Sequence, residues 1–531
     1  MIFKKKFKSF KIKNYFLKNS FSNCNSLEYL RDWGYKITIM FLWVVILGGV
    51  SSFIASMGIG ANDAANAFAT SVGSKALTIN QAAGLAVIFE TAGAILMGSH
   101  VTDTIRKGIS DYKCFENNPE LLMYGCMWVI ISVGAWLFIA SFLEMPVSTT
   151  HSCVGGMIGM TIALVGSNCV IWYKESQNFP YIGGVSGIVL SWFLSPLFSG
   201  CVSSFIYGCS RSLVLRSSYE SKRLNILYPV LVGFTLLINS FFIIYKGAKG
   251  LNLHNIEATT AVGISFIIAT TGSLLTVPFV PKIKQIVNEK FENTFTRTRD
   301  LEVQEIIDNQ SELNIRTESQ LKKVTELHRN AERFDPKIEE VFKYLQIFTA
   351  SCDAFSHGAN DVANAVGPFA ALYILHRENQ SLTKKLDMDG DAYWILGLGG
   401  LGIAIGLFVY GKKITYAIGE KLVKITPSRG VAIELSSALV IITGSRLKIP
   451  LSTTHCQVGA TAGIGLLENT RKCTGINSKI LLRTAIGWLV TCIIVGLTSA
   501  LLISQGVYGP SIFTKPCSLN TSNLNSSRLL L

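Results

Sequence analysis

Gly60-Ala61-Asn62-Asp63-Ala64-Ala65-Asn66-Ala67 recurs as Gly358-Ala359-Asn360-Asp361-Val362-Ala363-Asn364-Ala365, identical at seven of eight positions. A second pair follows each copy: Pro146-Val147-Ser148-Thr149-Thr150-His151 and Pro450-Leu451-Ser452-Thr453-Thr454-His455. The copies lie 298 and 304 residues apart, so order and spacing are both kept. Two pairs in register mean internal duplication, and the fold is read as two repeats.

The motifs sit in apolar surroundings. Of 531 residues 49% are hydrophobic and 15% charged, against about 25% charged in soluble domains. Mean hydropathy is +0.39. A dozen apolar stretches, the first near 37–59 and the last near 481–506, approach the ~20 residues a helix needs to cross a bilayer core of ~30 Å. The fold class is therefore an all-α polytopic membrane protein of about 12 membrane segments. Collagen-like, coiled-coil, disordered and small disulfide-framework classes fail on composition. The stretches 341–356, 431–447 and 456–467 are short or broken by polar residues, and are expected as half-helices or re-entrant hairpins covered by protein.

The expected organisation is a basic tail at 1–36, a first membrane half at 37–281, a charged soluble insertion at 282–343, a second half at 344–510 and a tail at 511–531. No cleavable signal peptide is expected, because the Lys-rich start runs into a polar stretch. The net charge of +14 does not call for nucleic acid: seven Lys among the first 20 residues supply half of it, and such a tail meets anionic headgroups or solvent. The insertion carries 12 basic and 13 acidic residues and is expected to be cytoplasmic. Twelve scattered Cys, none in C-x-x-C spacing, read as small buried side chains rather than a metal site or disulfide framework.

An intramembrane carboxylate costs several kcal/mol unless paired, so Asp63 and Asp361 are functional candidates. Asn62 and Asn66, like Asn360 and Asn364, are four apart and share a helix face. Carboxylate, amide and carbonyl oxygens are hard ligands, better suited to Na+ or a proton than to a transition metal. The competing structural reading is helix packing through Asn and buried Asp. In the second motif Pro punctuates and Ser148 and Ser452 cap, so each should open a helix whose free N–H groups and hydroxyls receive an oxyanion without Lys or Arg. Ordinary capping of two packed helices would look the same. Glu90 and Glu434 lie in apolar runs, one in each half; they are read as Na+ ligands, proton carriers, or partners of Arg106 and Arg446. A hydrolase triad of Ser148, His151 and Asp63 is the reading from another class.

By these duplicated motifs the sequence resembles the inorganic phosphate transporter (PiT) family of sodium-coupled phosphate importers. The resemblance implies two inverted repeats of transmembrane helices with re-entrant helical hairpins, usually dimeric, in the plasma membrane. It places Asp63, Asn66, Ser148, Thr149, Thr150, Asp361, Asn364, Ser452, Thr453 and Thr454 around phosphate. Asn62, Asp63, Glu90, Asn360, Asp361 and Glu434 become the sodium-coupling residues, with Na+ as cargo and no resident cofactor. Some members have a Gly within the first hairpin's tetrad, where this chain reads Val147-Ser148-Thr149-Thr150. Relatives also include proton-coupled and sulphate-carrying transporters.

Overall fold

The structure, a computed structural model, describes residues 41–176, 181–245, 256–295, 331–378, 388, 392–412, 414–415, 422–447, 449–468 and 475–509. The expected tails at 1–36 and 511–531, and 296–330 of the insertion, lie outside the described residues. The first half contains α1 Leu42–Ile59, α2 Ile79–Gly108, α3 Pro119–Phe142, α4 Thr149–Val165, α5 Gly184–Ser210, α6 Glu220–Ile244, α7 Ala258–Thr276 and α8 Phe279–Phe295. The second contains α9 Pro336–Arg377, α10 Tyr393–Tyr410, α11 Pro427–Arg446, α12 Thr453–Leu467 and α13 Ser478–Tyr508. Among the described residues eight helical stretches are long and apolar enough to cross a membrane, and α4 is a shorter apolar helix. This is a multi-pass membrane protein.

Local sequence sets the helix ends. Thr78 and Gln81 form a reciprocal capping box at the start of α2. Pro119, Pro336 and Pro427 occupy first turns, where a missing N–H is harmless. Gly166, at φ 93°, stops α4 in a conformation that side chains with a Cβ rarely adopt.

Two helical hairpins, α3–α4 and α11–α12, enter from opposite ends, and α5 is the ruler that shows it. Val185, at its first turn, donates to the Ile171 carbonyl just beyond α4, whereas Tyr207 and Arg211 at its far end meet Glu468 and Leu467 just beyond α12. Twenty-seven helical residues separate those bases by about 40 Å. Between them Ser191 reaches the Pro450 carbonyl at the second hairpin's tip, and Ser452 donates to Ser148, tip to tip, at 2.8 Å. The two repeats are thus inverted. They also interlock: α9 of the second half packs on α2 of the first, and α10 packs on α1 and α2.

Three expectations change. The stretch 341–356 is no half-helix but part of α9, which runs unbroken for 42 residues; its polar residues recur at helical spacing on one face, so neighbours bury them without interrupting the backbone. The first octapeptide, by contrast, forms a π-helical turn over Gly60–Ala64 followed by two short helical pieces ending at Gly73. Finally, Cys114 and Cys169 form a disulfide across 55 residues. Both lie in loops at the base of the first hairpin, a meeting that spacing along the chain could not show. The opposite base is pinned by ions: Arg429 holds Glu468 at 2.6 Å and the Glu332 carbonyl at 2.8 Å, and Arg216 meets Glu332 at 2.7 Å.

Candidate functional site

The hairpin tips meet the two octapeptides in the middle of the bundle. The first Asn of each motif braces its own tip. Asn62 accepts from the Val147 N–H at 2.9 Å and donates to the Met145 carbonyl at 3.0 Å and to Ser141 at 3.2 Å. Asn360 donates to the Leu451 carbonyl at 2.9 Å and accepts from Ser445 at 3.3 Å. Ser148 and Ser452 each accept from the N–H three residues on, at 3.3 Å, and cap α4 and α12 as their residue type requires.

The carboxylates lie on these helix starts. Asp63 accepts from the Thr149 N–H at 3.1 Å and from the Thr454 hydroxyl of the other hairpin. Asp361 accepts from the Thr453 hydroxyl and from Asn364 at 2.9 Å. Asn364 also lies 3.0 Å from the Thr149 hydroxyl and 3.3 Å from that of Thr150. Thr150 in turn donates to the Leu451 carbonyl at 2.9 Å, and Thr454 makes the matching contact to Val147 at 3.3 Å. The five Asp and Asn side chains described here and the six hairpin hydroxyls are at most 4% exposed, so water cannot substitute for a lost partner. The side chain of Asn66 lies outside the described residues.

The two acids assigned alike from sequence go to different places. Glu90 joins the centre through an imidazole: His357 Nδ1 lies 2.8 Å from Glu90 and Nε2 lies 2.9 Å from Asp361. Glu434 has its own cage, accepting from Thr70 at 2.6 Å, Ser71 at 2.5 Å, Thr349 at 2.6 Å and Gln346 at 3.1 Å. Neither pairs with the arginines considered for it: Arg106 binds Asp103 at 2.6 Å, and Arg446 meets the Tyr245 carbonyl and, at 3.2 Å, His100. Four donors on one carboxylate make Glu434→Gln costly, because an amide offers one acceptor oxygen and turns two N–H donors toward the rest. A loss of about 2 kcal/mol in thermal stability of the purified protein is expected, and a variant melting with the wild type would show that Glu434 is not ionised there.

No Ser-to-imidazole bond assembles a nucleophile. The Ser148 oxygen takes the Ser452 hydroxyl and the His151 N–H, while the His151 ring stacks on Trp192 at 3.5 Å. Sequence reading overlooked His357, although Asp353, His357 and Asp361 recur every fourth residue on one face of α9. That signal was masked by the octapeptide beside it.

The Phosphate transporter family profile matches residues 59–499. A phosphate-repressible phosphate permease of Neurospora crassa is 27% identical, covering 88% of this chain and 98% of its own. The sodium-dependent phosphate transporter 1 of Mus musculus is 25% identical over 88% and 96%. A solved structure titled "The sodium-dependent phosphate transporter" superposes with a TM-score of 0.70 at 30% identity, covering 89% of this chain and all of its own. Duplicated motifs, opposed hairpins and a profile spanning most of the chain together place this protein in the phosphate transporter family.

Proposed function

We propose that the chain is a sodium-coupled symporter that imports inorganic phosphate, as H2PO4−, by alternating access. One observation carries the reading: an oxyanion of the protein's own, the Asp63 carboxylate, already sits where the Thr149 N–H opening α4 and a hydroxyl of the opposite hairpin converge. A phosphate presents the same oxygens to Ser148, Thr149, Thr150, Ser452, Thr453 and Thr454. It differs from sulphate in carrying O–H groups at neutral pH, so Asp63 and Asp361 accept hydrogen bonds from phosphate but only repel sulphate. Those buried carboxylates need positive charge, and Na+ bound at Asp63, Asp361, Glu90 and Glu434 supplies it while coupling the flows. Asn62 and Asn360 serve by holding each hairpin tip in reach of its Asp. Hairpins entering from opposite ends suit a gate on either side of one fixed site. The dimeric state and the plasma membrane rest on family resemblance.

The test is radiolabelled phosphate uptake into vesicles bearing the purified protein. Uptake is expected with an inward Na+ gradient, to vanish when choline replaces Na+, and to ignore excess sulphate. Uptake driven by a proton gradient alone, or competed away by sulphate, would overturn the sodium or the phosphate part respectively.

A further inference from the structure

One face of α9 carries Gln346, Thr349, Asp353, His357, Asp361 and Asn364, spaced three or four apart and none more than 2% exposed. The stripe spans about 27 Å of helix axis, close to the thickness of a bilayer core. Each end has a place in the site already described: Gln346 and Thr349 bind Glu434, and Asp361 and Asn364 belong to the centre. Asp353, in the middle, belongs to neither. It is 1% exposed, and neither carboxylate oxygen has a well-formed hydrogen bond. The Ser437 hydroxyl lies beside it but does not complete a well-formed bond.

Asp353 faces a small cavity that reaches the central site. The lining includes Asp63, His357, Ser437, Thr453 and Gln457. The imidazole makes no direct bond to Asp353, because its two nitrogens face Glu90 and Asp361. Asp63 and Asp353 thus share with Glu90 and Asp361 a single imidazole, and Glu434 lies against the same helix face with hydroxyl and amide donors around it. A carboxylate held at membrane depth with only a marginal hydroxyl contact calls for a cation beside it. Carboxylate, hydroxyl and amide oxygens are the ligands of a hard monovalent ion. Among the described residues no group of three or more His, Cys, Asp or Glu side chains is arranged to hold a metal ion, so a site here would rest on one carboxylate with hydroxyl and amide oxygens.

We propose that Asp353 is the carboxylate of a separate Na+ site, a station between Glu434 and the phosphate site, with Ser437, Thr453 and Gln457 as oxygen ligands. The proposal rests on the sodium-coupled reading and adds a carboxylate that the duplicated motifs do not contain: the first repeat has Ala55 where Asp353 stands in the second. An ion held there is handed along the stripe to Asp361, about two helical turns on, or across the cavity to Asp63.

The experiment is equilibrium binding of radioactive Na+ to the purified full-length protein, alongside the Na+ dependence of phosphate uptake in vesicles. Asp353→Asn keeps shape and removes charge; it should bind one Na+ fewer per chain and need about tenfold more Na+ for half-maximal uptake, since affinity follows ligand charge. Asp353→Glu should restore part of both. Ser437→Ala, a smaller perturbation, should weaken Na+ in the same direction and decides the matter if Asp353→Asn does not fold. Unchanged Na+ stoichiometry and half-saturation in Asp353→Asn and Ser437→Ala would overturn the site while leaving sodium coupling intact. A shift confined to the pH profile of uptake would replace the Na+ station by a proton site and overturn it too. A wild-type protein that binds no Na+ would instead bring down the sodium-coupled reading itself.

Discussion

Asp361→Asn and Asp63→Asn are each expected to lower sodium-driven phosphate uptake about 100-fold, while both proteins still reach the membrane. Asn keeps the outline of Asp but turns an N–H2 toward groups that are already donors. At Asp361 these are the Thr453 hydroxyl, Asn360 at 3.1 Å and Asn364 at 2.9 Å; at Asp63 they are the Thr149 N–H and the Thr454 hydroxyl. In a site this dry, orphaning a donor costs about 1–3 kcal/mol, and each 1.4 kcal/mol is a factor of ten. The change also removes the acceptor for a phosphate O–H and the charge that retains Na+. Uptake and surface abundance should be measured together. Normal transport by either variant would break the two-site symmetry, because the duplicated motif would then contain one working carboxylate and one bystander.

Gly358→Ala should destabilise the fold by about 3 kcal/mol, and Gly60→Ala comparably, as read from thermal unfolding of the purified protein. A Cβ at Gly358 would run into the Glu90 carbonyl of α2, and one at Gly60 into the Ile403 carbonyl of α10. Backbone is what blocks each position, so no rotamer change relieves the clash. Gly84→Ala and Gly263→Ala are the controls: both glycines are helical and have nothing within 4 Å of an added Cβ. Those controls should be neutral or slightly stabilising, since Ala is the better helix former. If Gly358→Ala unfolds with the controls, α9 and α2 are not packed backbone to backbone, and the placement of Glu90 beside His357 goes with it.

Duplication, membrane class, the capping Ser148 and Ser452 and the two Asp residues follow from the chain, because each depends on local composition or on spacing that survives in one dimension. His357 and Asp353 were legible in principle, as members of an every-fourth-residue series on one helix, yet such a pattern acquires meaning only when something faces it. The disulfide between Cys114 and Cys169 was not legible, since loop ends meet through the folding of the helices between them.

Read in one dimension, the chain holds two copies of one chemical kit, each with an Asp to hold charge and a Ser/Thr cap to receive an anion. How the kits are shared follows from packing in three dimensions. Asp63 of the first copy is held by Thr454 of the second, Asn364 of the second reaches Thr149 of the first, and Glu90 reaches Asp361 through His357. Nearly identical octapeptides even take different backbones, a π turn in one and an unbroken helix in the other. Local propensity is the same for both, so their difference comes from the neighbours they pack against. Contacts across some 300 residues are selected by burial and by the need of every buried donor for an acceptor, and neither requirement is written in any single stretch of the chain.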